Sequence, residues 1–342
     1  MAETKRVFLV IDAGGTSTRA VLVDASGRCL GYGRAGGGNP TSAGITSAVA
    51  AVAHASEQAL AGGDITGKPP FLTVIALAGE NTAAFREQVS ARLAALGFGP
   101  VIVEPDLLGM FHSGTHQRDG YVLVAGTGAV AARVVGGELD QVVGGKGWLL
   151  GDAGSGYWIG HQVARAVVAA LDGQGPATAL TELVLKTVAI TAQSDSPAGR
   201  AQALKQLVSI LYSWRPVQLS EFAPLAFRVH EDPVAREILV AASAALAELL
   251  AAVRAPNLAG PVIAGGGVLV GGFLAAPPGL RERLALPTNN ARVIPVADGV
   301  VGAAVLALRS VEIDVDEALW HTIQMEVARV AGVRATAPSR RR

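Results

Sequence analysis

The sequence predicts an α/β protein made of two duplicated halves, and three observations support this prediction. An apolar run at residues 7–11, typical of a buried strand, leads through a glycine-rich turn into a second strand. The same order of strand, Gly-Thr turn, strand, glycine turn and strand recurs from Tyr121 onward. After each set of three strands, segments with helical spacing and short apolar strands follow, as expected of an α/β fold.

The first half begins with three strands and continues with alternating helices and strands. Its predicted elements are strands at 7–11 and 20–23, a third strand after the turn at 24–28, a helix at 45–60, a strand at 71–78, a helix at 82–96, a strand at 101–103 and a helix at 107–113. This order completes one domain near residue 115.

The second half repeats the three strands and then inserts a long helical block. Its predicted elements are strands at 121–125, 129–135 and 139–143, helices within 157–250 separated by loops at 173–176 and 193–199, a strand at 260–264 and a strand at 293–296. A small-residue helix at 300–308 and an amphipathic helix at 317–330 return to the first half. The predicted domains are therefore 1–115 with 298–332, and 116–297, followed by a disordered tail at 333–342.

Composition excludes several classes of partner. The chain has 342 residues, enough for two domains sharing a cleft, and a formal net charge of zero, so we expect neither nucleic acid nor a membrane as partner. Cys29 is the single cysteine, which rules out an internal disulfide and a cysteine-clustered metal site, and predicts the cytoplasm. The uncharged stretch 255–280 contains four prolines and is not expected to form a membrane helix.

The two glycine turns are candidate phosphate-binding sites because their amides and hydroxyls carry little side-chain bulk. Asp12 ends the strand before the first turn, where it would face a metal carried by the phosphates. One such turn alone is equally well an ordinary hairpin, but its recurrence favours phosphate binding. The candidate residues are Gly14, Gly15, Thr16 and Ser17 in the first turn, and Gly126, Thr127 and Gly128 in the second.

Two other glycine patterns do not fit their motifs. Residues 62–68 have the spacing of a P-loop, but Pro69 replaces the metal-binding hydroxyl and a strand follows instead of a helix. Residues 126–131 match G-x-G-x-x-A, but a β-branched run and a second turn follow, which argues against a dinucleotide site.

The loop at 144–160 is dense in glycine and holds one acid, Asp152, among aromatic residues. It closely resembles the loop of the N-acetylglucosamine kinase branch that is grouped with the BadF/BadG ATPases, within the sugar kinase and actin superfamily. The resemblance implies a two-lobed, ribonuclease H-like (actin-like ATPase) fold with an interlobe cleft. It also implies an ATP- and Mg²⁺-dependent kinase that phosphorylates the 6-hydroxyl of an amino sugar, and a homodimer.

The same resemblance assigns the sugar and catalytic residues. Asp106 matches the catalytic base, although an Asp before a helix is also a common N-cap. Asn39 matches a sugar contact, although a plain Asn-Pro turn explains it locally. Asp152 matches the acid that binds sugar hydroxyls, and Gly145 in the same loop is assigned to the sugar.

The adenosine motif is assigned to a strand that runs into a glycine turn and a helix. A tight strand-to-helix turn accounts for the same residues, which are Gly265, Gly266 and Gly267. The helix after Asp298 is given a structural role, in which its small residues permit close interdomain packing. Trp148 and Trp158 are interpreted equally as core residues or stacking platforms, and the six histidines show no metal-ligand spacing.

Two departures from the N-acetylglucosamine kinases bear on the substrate. Lys146 stands where they carry Trp, and Ala-Gly-Glu ending at Glu80 replaces a Ser-Gly pair. Glu80 or Glu104 would pair with the ammonium group of free glucosamine, which favours that sugar. The alternatives are a BadF-like activator of a dehydratase, for which one cysteine per chain is too few, and a sugar-sensing regulator, for which no helix-turn-helix precedes Val7.

Overall fold

The structure, a computed structural model, describes residues 6–63, 70–191, 201–283 and 291–332. The predicted tail at 333–342, the predicted loop at 193–199 and most of the P-loop-like segment lie outside the described residues. The chain divides into two compact units.

The first unit contains a five-stranded sheet in the order β3-β2-β1-β4-β5, with β1 antiparallel to β2 and parallel to β4. Alternate residues of β1 face opposite layers of helices, as the two-residue repeat of a strand requires. The strands are β1 (Val7–Ala13), β2 (Thr18–Asp24), β3 (Cys29–Ala35), β4 (Leu72–Leu77) and β5 (Val101–Pro105). The helices are α1 (Pro40–Ala43), α2 (Ile45–Ala61), α3 (Ala83–Ala95) and α4 (Asp106–Gly114), with α12 (Val300–Arg309) and α13 (Glu317–Val330) from the end of the chain.

The second unit contains a sheet in the order β10-β9-β6-β7-β8. The strands are β6 (Gly120–Ala125), β7 (Ala129–Val135), β8 (Glu138–Gly144), β9 (Val262–Gly265) and β10 (Val293–Val296). The helices are α5 (Gly147–Leu150), α6 (Gly156–Leu171), α7 (Leu180–Thr187), α8 (Gln202–Ser213), α9 (Ala223–Arg228), α10 (Pro233–Val253) and α11 (Pro278–Arg283), with a 3₁₀ helix at Pro216–Phe222 and a π-helical turn at Val268–Phe273.

The two sheets have the same topology. In each, the third, second and first strands of the unit lie side by side, followed by its fourth and fifth strands. The predicted α/β class with duplicated domains is therefore confirmed.

The units divide at slightly different residues from those predicted. The first unit comprises Met1–Asp119, Val134–Leu139 and Asp298–Arg342, and the second comprises Gly120–Arg133 and Asp140–Ala297. Backbone contacts explain why the β7–β8 turn groups with the first unit. Gly136 N–H donates to Asp119 Oδ1 at 2.7 Å, and Gly137 N–H donates to the Arg118 carbonyl at 2.7 Å.

The small residues of α12 pack within the first unit. A side chain at Gly302 would overlap the carbonyl oxygen of Gly109 on α4, so the two helices approach closely at this point. The Gly302 amide also donates to Ser113 Oγ at 2.8 Å. These are intra-unit contacts, whereas the sequence led us to expect interdomain packing.

The length and hydropathy of the helices were compared with what a membrane-spanning helix requires. Within the described ranges, every helix is too short or too polar to span a bilayer. The uncharged stretch 255–280 forms a turn, β9, the π-helical turn and the start of α11.

Candidate active site

The first glycine turn joins β1 to β2 and leaves backbone donors open. Gly14 N–H donates to the Ser17 carbonyl at 3.0 Å, and Gly38 N–H donates to the Gly14 carbonyl at 2.9 Å. A Cβ at Gly37 would lie 2.5 Å from the Gly15 carbonyl oxygen. The amides of Gly15 and Thr16 donate to no described residue. This geometry suits an anion.

Asp12 is buried at the end of β1, where it lies beside two half-buried charged residues. Arg19 is its partner in the antiparallel register, with Nη1 3.6 Å from Asp12 Oδ2, and Arg19 Nε lies 3.2 Å from Asp298 Oδ2. Burial raises the Asp12 pKa to about 7, and the negative charge of Asp298 adds to the increase, whereas Arg19 opposes it. The sequence identified Asp12 but missed this bridging role of Arg19, because Asp298 is remote in the chain.

The donor set at Asp12 fits a hard divalent cation, which prefers carboxylate oxygens and water. No group of three or more His, Cys, Asp or Glu side chains in the described part of the chain is arranged to hold a metal ion. A cation at Asp12 would therefore need phosphate oxygens or water to complete its coordination.

Asp106 is the first residue of α4 and directly follows β5. Pro105 takes the N-cap position, so α4 begins at Asp106, one residue earlier than predicted. Burial raises the pKa of Asp106 to about 6, while the amides of Leu107 and of Asp106 itself lower it. The Asp106 charge in turn raises the pKa of Asp12, which places the two acids within electrostatic reach.

Asn39, Gly79 and Glu80 meet at one corner of the first unit. Asn39 is the N-cap of α1, where its Oδ1 accepts from Thr41 N–H at 2.8 Å. Glu80 N–H donates to Thr41 Oγ1 at 3.0 Å, and a side chain at Gly79 would overlap Asn39 Oδ1. The sequence analysis missed α1, although an Asn followed by Pro is a recognised helix start. The Asn39 Nδ2 group has no acceptor among the described residues.

The two glutamates proposed for ammonium recognition differ in environment. Glu80 is exposed, whereas Glu104 is half-buried on β5. Burial raises the Glu104 pKa, and the nearby charge of Glu138 adds to the increase. Register places Glu104 opposite Ala76, which itself pairs with Asp12.

The second glycine turn joins β6 to β7 and is held by the start of α6. Gly126 N–H donates to the Gly128 carbonyl at 3.0 Å. Gly156 N–H and Tyr157 N–H donate to the carbonyls of Gly126 and Thr127 at 2.7 and 3.2 Å. The amides of Thr127 and Gly128 donate to no described residue, so this turn also presents open donors.

Asp152 and Gly145 both lie against the start of β7. Asp152 has a positive φ of 61° and a buried side chain, whose Oδ1 accepts from Ala129 N–H at 3.3 Å. Gly145, with φ 65°, donates through its amide to the Ala129 carbonyl at 2.8 Å. The two predicted sugar contacts are therefore brought together.

The predicted adenosine residues lie beside the second turn. Gly265 ends β9, and Gly266 has φ 87°, where a side chain would overlap the Ala125 carbonyl oxygen. A Cβ at Gly267 would meet no atom within 4 Å. The backbone is therefore closely packed at Gly266 and open at Gly267.

The aromatic residues of the 144–160 loop separate into two kinds. Trp158 packs against the core of the second unit, whereas Trp148 is 39% exposed on α5 beside exposed Leu149 and Leu150. Trp148 makes an edge contact with Tyr157 at 5.8 Å, and Tyr157 stacks on His161 at 5.7 Å.

Cys29 does not fit an iron–sulfur ligand. It is buried at the start of β3 within the apolar core, and burial raises its pKa to about 12, which keeps the thiol protonated. This environment disfavours the dehydratase-activator alternative.

The duplicated sheets with their glycine turns define an actin-like ATPase class of fold. Residues 9–307 match the profile of the BadF/BadG/BcrA/BcrD ATPase family, and the chain belongs to that family. The predicted resemblance is confirmed.

Individual relatives agree with this assignment. The chain is 28% identical over 332 residues to the N-acetyl-D-glucosamine kinase of Dictyostelium discoideum, covering 90% of this chain and 99% of that protein. It is 28% identical over 227 residues to glucosamine kinase GspK of Vibrio cholerae, covering 62% and 74%. Among solved structures, a candidate N-acetylglucosamine kinase from Chromobacterium violaceum aligns with a TM-score of 0.68 and 25% identity, covering 88% and 98%.

Proposed function

We propose that this protein is an ATP-dependent amino-sugar kinase that transfers the γ-phosphate to the 6-hydroxyl of a hexosamine. The observation that carries the proposal is the Asp106 carboxyl group, which lies at the end of β5, within electrostatic reach of Asp12, with its pKa raised to about 6. A general base works best when its pKa lies close to the working pH. The relatives named as hexosamine kinases support the substrate class.

Asp106 acts as the base in this proposal. Its ionised carboxylate accepts the proton of the attacking 6-hydroxyl as the new O–P bond forms and the bond between the γ-phosphorus and the β–γ bridging oxygen breaks, which releases ADP. In the first unit, the Asn39 amide group donates to the sugar, because its Oδ1 already caps α1. In the second unit, Asp152 and the backbone of Gly145 contribute to sugar binding.

The two glycine turns hold the phosphates of ATP. The amides of Gly15 and Thr16 serve in the first unit and those of Thr127 and Gly128 in the second, with adenosine against residues 265–267. Asp12 is the residue that would hold Mg²⁺, and the cation bound with ATP would neutralise charge on the phosphates. We further propose that the enzyme is a cytoplasmic homodimer, which sedimentation of the purified chain would check.

The amino group of the substrate is positively charged in glucosamine, so a glutamate side chain beside it would favour this sugar. We propose a preference for glucosamine over N-acetylglucosamine, with Glu80 or Glu104 facing the ammonium group. Both sugars would be compared by kcat/KM in wild type, Glu80→Gln and Glu104→Gln. We expect one of the two variants to lose the preference. A clear preference of the wild type for N-acetylglucosamine would contradict the proposal.

The function is tested by ADP release from Asp106→Asn across a panel of hexoses and hexosamines. We expect kcat to fall by on the order of 10²- to 10⁴-fold, with KM for the sugar changed much less, because only the proton acceptor is lost. In the wild type, kcat/KM should rise with pH through about 6, because the base is active only when deprotonated and kcat/KM reports the pKa of the free enzyme.

Asp314→Asn is the matched control for this test. It removes the same charge from an exposed side chain in the first unit and should keep wild-type turnover. Near-normal kcat in Asp106→Asn would remove Asp106 from the role of base. Absence of turnover on every sugar by the wild type would favour the sensing function instead.

A further inference from the structure

Asp152 occupies a backbone conformation that non-glycine residues rarely adopt. Its φ is 61°, and the residue is only 8% exposed. A strained residue with a buried carboxylate persists only where the surrounding contacts hold it in place. The contacts of Asp152 therefore indicate its role in the second unit.

The carboxylate and backbone of Asp152 link three segments of the second unit. Oδ1 accepts from Ala129 N–H, at the start of β7, at 3.3 Å. Burial raises the pKa of this carboxylate, whereas the amides of Ala129 and of Gly147, the first residue of α5, lower it. The Asp152 carbonyl accepts from Ser155 N–H at 3.0 Å, next to the first residue of α6.

Gly128 lies directly against this carboxylate. A Cβ at Gly128 would be 2.9 Å from Asp152 Oδ2 and 3.3 Å from Oδ1. Any side chain at this position would therefore displace the acid. The second glycine turn is thus supported on one side by Asp152 and on the other by the amides of Gly156 and Tyr157.

We propose that Asp152 is a positioning residue for the second phosphate turn, in addition to its proposed sugar contact. By holding Ala129 and filling the space at Gly128, it keeps the open amides of Thr127 and Gly128 directed at the phosphates. A carboxylate has about four acceptor positions, so the hydrogen bond from Ala129 N–H leaves room for a sugar hydroxyl. This inference rests on the proposed nucleotide role of the turn, and it makes Asp152 a link between the two substrates.

The test measures nucleotide binding without sugar. Calorimetric titration of MgATP and of adenosine would be performed on wild type, Asp152→Asn and Asp172→Asn, the last an exposed control at the end of α6. We expect Asp152→Asn to weaken ATP binding about tenfold, because a neutral amide oxygen accepts from Ala129 N–H more weakly than a carboxylate oxygen does and the second oxygen is replaced by a donor. Adenosine affinity should not change, because adenosine makes no phosphate contact. Unchanged ATP affinity, or an equal loss for both ligands, would overturn the inference.

Gly128→Ala provides a second variant that acts on the same contact. Its methyl group displaces the carboxylate, so we expect the double variant to bind ATP no more weakly than the worse single variant. Additive losses would contradict a shared mechanism. If the wild type binds ATP but phosphorylates no hexosamine, only the proposed kinase function fails. If it binds no ATP, both proposals fail.

Discussion

Burial determines the chemistry of the acidic residues at the ends of β1 and β5. Asp12 and Asp106 both lose solvent on folding, which penalises their charged forms and raises their pKa values to about 7 and about 6. Arg19 partly offsets the effect at Asp12 while also pairing with Asp298. The sequence predicted the positions of both acids from strand ends, but the size of the pKa changes follows from three-dimensional packing.

The raised pKa of Asp12 predicts a pH-dependent stability. The folded state retains a proton on Asp12 between about pH 4 and pH 7, where the unfolded state, with a pKa near 3.8, has lost it. The free energy of unfolding therefore falls as pH rises through this window, and Asp12→Asn should remove this fall. We expect the variant to gain on the order of 1–3 kcal/mol over wild type between pH 4 and pH 8, measured by urea denaturation.

Asp314→Asn again serves as the control for the loss of one charge. It should show the wild-type pH dependence, because its side chain is exposed. An Asp12→Asn variant that tracks the wild type at every pH would show that the pKa of Asp12 is the same in the folded and unfolded states.

At the level of elements, the predicted strands and helices agree with the structure, apart from the unpredicted helix α1 and the exact start of α4. The three strands of each half, their glycine turns and the helices from α2 to α4 agree with the structure within about two residues, the usual uncertainty of helix ends. The four-residue α1 is too short to show a helical period. Helix α4 begins at Asp106 because Pro105 takes the N-cap position. The preference of Asp for N-cap positions had instead suggested that the helix begins one residue later.

Close packing between α4 and α12 predicts a strong effect at Gly302. Gly302→Ala would place a methyl group on the Gly109 carbonyl, and we expect a loss of about 1–3 kcal/mol or more in the free energy of unfolding. Gly279→Ala, on α11 with no atom near its Cβ, should be neutral or stabilising. Guanidinium denaturation would compare them. Equal stability of the two variants would show that α12 moves aside without cost.

At the level of the whole chain, the last helix completes the core begun by the first strand. Trp320, Ile323 and Val327 of α13 pack in the cluster that also contains Phe8 and Val10 of β1. The Trp320 indole donates to the His112 carbonyl of α4 at 2.7 Å. The amphipathic pattern of residues 317–330 predicted a helix, and the apolar face of α13 packs in this cluster.

This packing predicts that the end of the chain contributes to the stability of the first unit. Ile323→Ala should lower the free energy of unfolding by about 2–5 kcal/mol, the cost of a large-to-small change in a core. Met325→Ala, on the exposed face of the same helix, should change it by less than about 0.5 kcal/mol. Thermal unfolding would separate the two. Similar melting temperatures would mean that α13 is dispensable for the core.

Strands, turns and the internal duplication were readable from the amino-acid order, because apolar alternation and glycine act over a few neighbouring residues. The positions of Asp12, Asp106 and the two glycine turns follow from that local order. The bridge from Arg19 to Asp298, the support that Asp152 gives to Ala129, and the raised pKa values depend on folding. They require residues distant in sequence to meet in a solvent-poor environment, where charges and hydrogen bonds act across space rather than along the chain.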